Sequence, residues 1–350
     1  MNTATFFTPV FFLLAMSLIV LSSIAPNLFW SQLLWVGCGL LFFVLFSFLD
    51  WRFFFAQRGF IWGFYITALV LLIAAYFYAP VIRATRSWLE LGGFNLQPVE
   101  LLKVGLILIY ATYFSRRHIE IAHWSTIVNS FLLFAIPAGL VVLQPDLGSA
   151  LVLASVWFGF LLVSGLPWKR LFFLGTVALL GMILMWTFIL KEYHKERILN
   201  VFYPDRNPLT YNYNVNQSKT AIGSAGWLGK GYGQGSQVQA GFLPEAPSDF
   251  IYAALVEEWG WFIGILILGA YWWMLTNILR IGKRAHQNFE RFVCLGVTIM
   301  LLVQFFLNVG SVLGMSPVVG VPFPLLSYGG SSLVTIMFLL SLVHAIRIRS

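Results

Sequence analysis

Charged residues are scarce in this chain, with 21 basic and 13 acidic side chains in 350 residues, or 10%. Soluble domains carry about 25%. A chain this poor in charge and 59% hydrophobic has too little polar surface for water. The low hydrophobicity of a disordered chain is missing as well. An integral membrane protein remains. Cysteine is nearly absent: Cys38 and Cys294 each lie inside an apolar run, which excludes a disulfide framework or a zinc site. The five histidines show no metal spacing, so no metal-ligating set is assigned. Clustered cations, the mark of a nucleic-acid surface, are also missing. The net charge is +8, but the basic residues are spread thinly between apolar runs. That excludes nucleic acid as a partner and points to anionic membrane lipids and cytoplasmic loops.

The chain does contain long apolar runs. A spanning helix needs about 20 mostly apolar residues. Ten such runs occur, near Thr5–Ile24, Phe29–Phe48, Phe60–Tyr78, Pro98–Phe114, Val128–Val142, Ser149–Val163, Leu171–Leu190, Phe250–Leu279, Val293–Leu313 and Leu325–Ile346. The first lacks a basic flank and a small-residue cleavage site, so it is read as a retained helix. These runs predict an all-α integral membrane protein of ten transmembrane helices, one polytopic domain over residues 1–350.

Twelve cations fall in loops on one side: Arg52, Arg58, Arg116, Arg117, Lys169, Arg170, Arg280, Lys283, Arg284, Arg291, Arg347 and Arg349. The short loops on the other side hold only Arg83 and Arg86. By the positive-inside rule both termini are cytoplasmic. Residues 191–249, between the seventh and eighth runs, are polar and rich in Gly, Asn and Gln. They form a large extracytoplasmic loop carrying Lys191, Lys195, Arg197, Arg206, Lys219 and Lys230. Loops of this length are usually functional or disordered. Phe202, Tyr203, Trp227, Tyr232 and Phe242 argue for an ordered loop with short helical pieces.

Charged groups at membrane depth are costly, so each is a candidate for function. Glu100 and Lys103 stand three apart on one helical face, within reach of each other. They read either as a neutralised packing pair or as part of an anion site. Asp146, in Gln144-Pro145-Asp146-Leu147-Gly148, is placed to cap the next helix or to serve an outer opening. Asp249 ends the long loop where an apolar run begins. It is either a helix-terminal acid or a carboxylate whose low-dielectric surroundings suit it to act as a base. Glu257 and Glu258 follow deeper, about 100° apart on the helix, so only one is expected to face the same cavity. Gly229-Lys230-Gly231-Tyr232-Gly233-Gln234-Gly235 fits neither a Walker A loop nor a dinucleotide fingerprint and reads as a flexible turn.

Several motifs occur in a specific order: Arg86-Ser87-Trp88-Leu89; Gln97-Pro98-Val99-Glu100-Leu101-Leu102-Lys103; Gln144-Pro145-Asp146-Leu147-Gly148; Gln217-Ser218-Lys219 leading to Gly229-Lys230-Gly231; Phe242-Leu243-Pro244-Glu245 ending in Asp249-Phe250-Ile251; and Pro322-Phe323-Pro324-Leu325-Leu326-Ser327-Tyr328-Gly329-Gly330-Ser331. In order and spacing, over most of its length, the chain resembles the SEDS family of cell-wall polymerases, and the RodA branch more than the FtsW branch. The resemblance implies a ten-span glycosyltransferase of the bacterial inner membrane. Such an enzyme polymerises lipid II into peptidoglycan with a class B penicillin-binding protein, its active site on the extracytoplasmic side. Three departures stand out. Pro247 and Ser248 occupy the usual His-Thr pair before the essential Asp; Ser22-Ser23-Ile24-Ala25-Pro26 lies near an expected Ser-Ala-Ser; and Val318 and Val319 stand where a Thr is common.

The resemblance makes Asp249 the catalytic acid. It makes Arg86, Glu100, Lys103, Asp146, Lys219, Lys230 and Ser327 the substrate-binding set. A sugar 4-hydroxyl must lose its proton as it attacks the anomeric carbon, and a carboxylate within hydrogen-bond reach can accept it. A pyrophosphate leaving group calls for cations, or for a divalent ion such as Mg or Mn. A single displacement inverts the anomeric centre. Two other classes of function fit the same charges: a transporter or flippase for lipid II, and a scaffold for the penicillin-binding protein. The absence of a visible internal repeat weakens the transporter.

Overall fold

A computed structural model describes residues 3–80, 85–92, 94–116, 123–204, 210 and 212–349. Arg83, Arg117 and Arg206 lie outside these residues, as does the side chain of Arg52. In a bilayer every backbone polar group needs an internal partner, so long apolar runs become helices. Each of the ten runs is one. The first six elements are α1 (Thr3–Ile24), α2 (Pro26–Ser47), the short α3 (Trp51–Ala56), α4 (Arg58–Tyr78), and strands β1 (Leu89–Leu91) and β2 (Phe94–Leu96). Helices α5 (Pro98–Arg116), α6 (Trp124–Leu143), α7 (Leu147–Val163) and α8 (Trp168–Leu184) follow, with α8 ending in a π-helical turn, Met185–Ile189. The segment that is polar in sequence contains α9 (Glu192–Phe202), α10 (Tyr213–Ser224) and α11 (Ser236–Gln239). The chain closes with α12 (Ile251–Arg284), α13 (Asn288–Val312) and α14 (Gly330–Arg349). Among the described residues nine helices are long and apolar enough to cross a membrane, and α7, at 17 residues, is shorter.

Helix α5 lies at the centre, packed on α4, α7 and α13, while α14 packs on α2 and α12 on α13 and α1. Lipid offers no hydrophobic drive for helix association, so close approach of backbones through small residues carries it. A Cβ on Gly296 of α13 would stand 2.8 Å from the Ile107 side chain of α5 and 2.9 Å from Phe160 of α7. One on Gly39 of α2 would meet Leu333 of α14 at 2.8 Å. Tyr110, Phe114, Phe160 and Phe292 fill the space between α5, α7 and α13. In contrast, no residue of α8 is fully buried; its contacts with the bundle include Leu174 against the core and Phe173 against Trp124 of α6 (5.2 Å).

Three features differ from the sequence reading. A two-stranded antiparallel hairpin, β1–β2, precedes α5, paired Leu89 with Leu96 and Leu91 with Phe94. The last helix begins at Gly330, not Leu325, because the segment before it turns back on itself. Most consequential is a break in α12 at Gly260, where φ is 79°. The carbonyls of Glu257 and Glu258 would ordinarily accept from the amides of Trp261 and Phe262. They accept instead from Lys230 N (2.9 Å) and Gly231 N (3.0 Å), while Trp261 N and Phe262 N donate to the carbonyls of Gly226 (3.0 Å) and Trp227 (3.2 Å). Segment 226–231 is thus inserted into the helix and satisfies all four groups that the break exposes. The Gly-rich stretch expected as a flexible turn is an anchored plug.

Candidate functional site

The site forms where the starts of α5, α7, α12 and α14 meet. Asp146 is the N-cap of α7: one carboxylate oxygen accepts the Ser149 amide (3.0 Å), the other the Ser149 hydroxyl (2.8 Å) and the Gln97 side-chain amide (3.3 Å). The capping reading of the sequence is therefore met, with an unforeseen partner in Gln97. The backbone amide of Gln97 donates to the Ser331 hydroxyl (3.3 Å), which itself donates to the Asn95 carbonyl (2.7 Å). The hairpin thus fixes the start of α5 against those of α7 and α14.

Asp249 is half-buried in a tight turn, its amide donating to the Glu245 carbonyl (3.1 Å). It does not cap α12; Phe250 holds that position, without a side-chain cap. Asn308 of α13 donates through one amide nitrogen to the Asp249 carbonyl and to the Val321 carbonyl, both at 2.9 Å. Ser327 accepts the Phe323 amide (2.9 Å) and donates to the Ser248 carbonyl, and Tyr328 N donates to the Pro247 carbonyl (2.9 Å). Pro247 and Ser248 therefore hold the Asp249 turn through backbone carbonyls, a task that needs no imidazole. These bonds also keep Leu325 at φ 66°, a left-handed conformation that costs a non-glycine residue about 1–2 kcal/mol.

Segment 318–321 connects the two acids. Val321 shares Asn308 with the Asp249 turn, and a Cβ on Gly148, two residues after Asp146, would lie 2.3 Å from the Val319 carbonyl. Arg197 of α9 donates to the Val318 carbonyl (3.1 Å). Burial first, then the charges of Arg197 and Lys191, push the His194 imidazole below its ordinary value. That favours its neutral form, with the charge at this edge carried by Arg197 and Lys191. Lys219 is exposed on α10 and packs its ammonium end against Gly314 at the end of α13.

The side chains of the remaining candidates are engaged with other partners or exposed. Lys103 and Glu100 form an ion pair at 2.7 Å, both buried, within the first two turns of α5. Lys230 is paired with the fully buried Glu257 at 2.7 Å and bonds Ser236. Glu257 also accepts the amides of Gln237 (2.9 Å) and Val238 (3.3 Å) at the start of α11. Glu258 takes a different set, the Ser23 hydroxyl, the Gly233 amide (3.2 Å) and the Gln239 side chain (3.3 Å). Both glutamates therefore hold the plug, each by its own partners. Ser22 and Ser23, noted as a departure from the family pattern, fasten α1 to it, Ser22 through Tyr232 at 2.9 Å. Arg86 is exposed and makes no hydrogen bond or ion pair among the described residues. Gln97, Arg197 and Asn308 were not named as site residues from sequence. The signal for Asn308 in the sequence is a second amide in an apolar run, one turn after Gln304.

Removing one partner of a buried ion pair costs about 3–5 kcal/mol, because the other charge is stranded. Glu100→Gln is therefore expected to lower the melting temperature in detergent steeply, and Glu100→Leu with Lys103→Met to recover most of the loss. A double variant as unstable as the single would show that more than neutralisation holds the pair.

No group of three or more metal-ligating side chains exists among the described residues. A divalent ion here would take one or two carboxylates and otherwise substrate oxygens, a common arrangement for Mg.

Comparison with known proteins bears on this geometry. The profile of the family described as "Cell cycle protein" (FTSW_RODA_SPOVE) matches residues 2–350. Peptidoglycan glycosyltransferase MrdB of Escherichia coli is 39% identical over 275 residues, 78% of this chain and 74% of MrdB. A probable peptidoglycan glycosyltransferase FtsW of Thiomicrospira cyclica is 34% identical over 319 residues, 90% of this chain and 81% of that one. Among solved structures, a chain from a peptidoglycan synthase complex that coordinates polymerization and crosslinking superposes with a TM-score of 0.84 at 32% identity, covering 98% of this chain and 96% of that one. The rod shape determining protein RodA of Thermus thermophilus superposes at 0.73 with 29% identity, covering 99% and 96%.

Proposed function

The chain belongs to the FTSW_RODA_SPOVE family, and from that premise we propose how its site builds peptidoglycan glycan strands. It is a multi-pass inner-membrane peptidoglycan glycosyltransferase similar to RodA and FtsW, acting in cell-wall synthesis. The donor is lipid II, a disaccharide on a polyprenyl pyrophosphate. The acceptor is the 4-hydroxyl of a second sugar. Asp249 takes the hydroxyl proton as the oxygen attacks the anomeric carbon, the new C–O bond forms, and the bond to pyrophosphate breaks with inversion. The observation that supports this role is the Asp249 turn, whose backbone is held by Glu245 and Asn308 and flanked by the Ser327 anchor. Such positioning of an acid in a half-buried, low-dielectric setting is what a general base requires.

Arg197 and Lys219 lie on the same side as Asp249 and suit the leaving pyrophosphate, as does Arg86, whose guanidinium is exposed. Lys103 acts through its pair with Glu100 on the packing of α5, and Lys230 through Glu257 on the plug. Segment 191–249 faces the extracytoplasmic side and both termini the cytoplasm. The partner is a class B penicillin-binding protein, in keeping with the crosslinking synthase complex to which the chain is similar.

A divalent cation, Mg or Mn, would offset the charge of the leaving pyrophosphate if bound with it. Asp146 and Asp249 are the carboxylates of this site that would hold it, alongside substrate oxygens. Chelator is expected to slow polymerisation by at least an order of magnitude, restored by added Mg or Mn. Full activity in chelator would remove the ion from the reaction.

Purified protein with labelled lipid II separates the three classes of function. Glycan polymer supports the polymerase, transbilayer movement without polymer a flippase, and neither activity, with the partner still bound, a scaffold.

A further inference from the structure

A cavity lined by described residues lies at the opposite end of the bundle from Asp249, and nothing in the polymerase reaction uses it. Its volume is about 470 Å³, within the range of small-ligand sites, about 300–1,000 Å³. It opens between the last turns of α5 and α14, the first turn of α13, and α3. All three long helices end here, so the opening lies at the edge of the apolar layer, the level of lipid headgroups.

One wall is aromatic. Trp51 stacks on Phe55 at 5.5 Å, and Phe55 contacts Phe289 at 5.1 Å, so a continuous apolar strip leads toward the bilayer. Two guanidiniums also line the cavity. Arg116 is exposed and has no hydrogen bond or ion pair among the described residues. Arg349 is oriented by the Phe48 carbonyl (3.3 Å) and by Asp50 (3.5 Å), the latter an exposed carboxylate that contributes little charge neutralisation. The one acid in the lining, Glu290, accepts the Gln287 amide in the capping box of α13, so its charge is already engaged with the helix start.

An apolar strip and two guanidiniums lining one cavity at headgroup depth have the chemistry of a phosphate joined to an acyl chain. We propose that this cavity binds one anionic phospholipid of the adjacent leaflet, its phosphate between Arg116 and Arg349 and an acyl chain along Trp51, Phe55 and Phe289. The charged end fixes the headgroup and the aromatic wall selects for a lipid over a free anion.

The test is native mass spectrometry of the full chain with added phosphatidylglycerol, or phosphatidylcholine of the same acyl chains, and in parallel with inorganic phosphate alone. Wild-type protein is expected to retain one phosphatidylglycerol, Arg116→Gln to bind it about tenfold more weakly, and Arg116→Gln with Arg349→Gln weaker still, as for loss of charge-assisted hydrogen bonds. Lys283→Gln with Arg284→Gln, on the same face outside the cavity, should bind as wild type. Equal retention of phosphatidylcholine, equal weakening by the Lys283 and Arg284 control, or saturation by inorganic phosphate in place of lipid would each overturn the proposal. So would unchanged binding by Arg116→Gln, which changes an exposed side chain and is expected to fold.

Discussion

Asp249→Asn should abolish polymer formation from lipid II, with a loss of about 10²–10⁴-fold, the usual contribution of a general base. Asparagine keeps the shape of the side chain but cannot take the hydroxyl proton. The turn itself should survive. Its amide bonds Glu245, and its carbonyl is held by Asn308, so both main-chain contacts are independent of the carboxylate. Partner binding and melting temperature are therefore expected to stay near wild type, which separates lost chemistry from lost fold. Activity in Asp249→Asn within threefold of wild type would refute its role as base. Asp146→Asn is the companion experiment. Asparagine caps helices as well as aspartate does, so if Asp146 serves mainly to hold Ser149 and Gln97, this variant should stay folded and largely active. A loss comparable to that of Asp249→Asn would instead put Asp146 in the reaction.

Gly260→Ala should destabilise the protein by roughly 3 kcal/mol or more and release the plug. The left-handed φ of 79° alone costs an alanine about 1–2 kcal/mol. Its Cβ would also stand 2.3 Å from the Trp227 carbonyl oxygen and 2.4 Å from Gly229 N, backbone atoms that cannot yield without breaking the hydrogen bonds across the break. Gly229→Ala should behave alike, since its Cβ would fall 2.2 Å from the Glu258 carbonyl oxygen. The control is Gly269→Ala, in the same helix with open space around it, where alanine should be neutral or stabilising by up to about 1 kcal/mol. Thermal melting of the three variants in detergent, with limited proteolysis at residues 226–235, reads both effects. Equal melting of Gly260→Ala and Gly269→Ala would mean that the inserted segment does not close the break.

Both experiments concern residues that the sequence marks unequally. Asp249 is visible at the junction of a polar loop and an apolar run, and its motif ties it to the family. The Gly260 break is nearly invisible. A glycine in Glu258-Trp259-Gly260-Trp261 looks like any small residue in an apolar helix, and the run reads as one span. The groups that make the break tolerable, Gly226 to Gly231, lie some thirty residues earlier in the chain. Lys230 shows the same limit. By its motif it is a cation for phosphate, but the fold turns it onto Glu257, 27 residues away.

The sequence by itself determined the membrane class and the apolar runs that become helices, and it offered the Asp146 cap as one of two readings. It also placed Glu100 and Lys103 within reach of each other. All of these follow from properties read within a few residues: apolar length, helical spacing and the side chain at a helix start. The tertiary structure alone decided which backbone segments hold the Asp249 turn, that α12 is broken and filled by a distant loop, and that α14 starts five residues later than its apolar run. Unpaired backbone groups in a low-dielectric interior must find partners wherever the fold brings them, and those partners, Asn308, Ser327 and the 226–231 segment, are set by packing between helices and not by sequence neighbours.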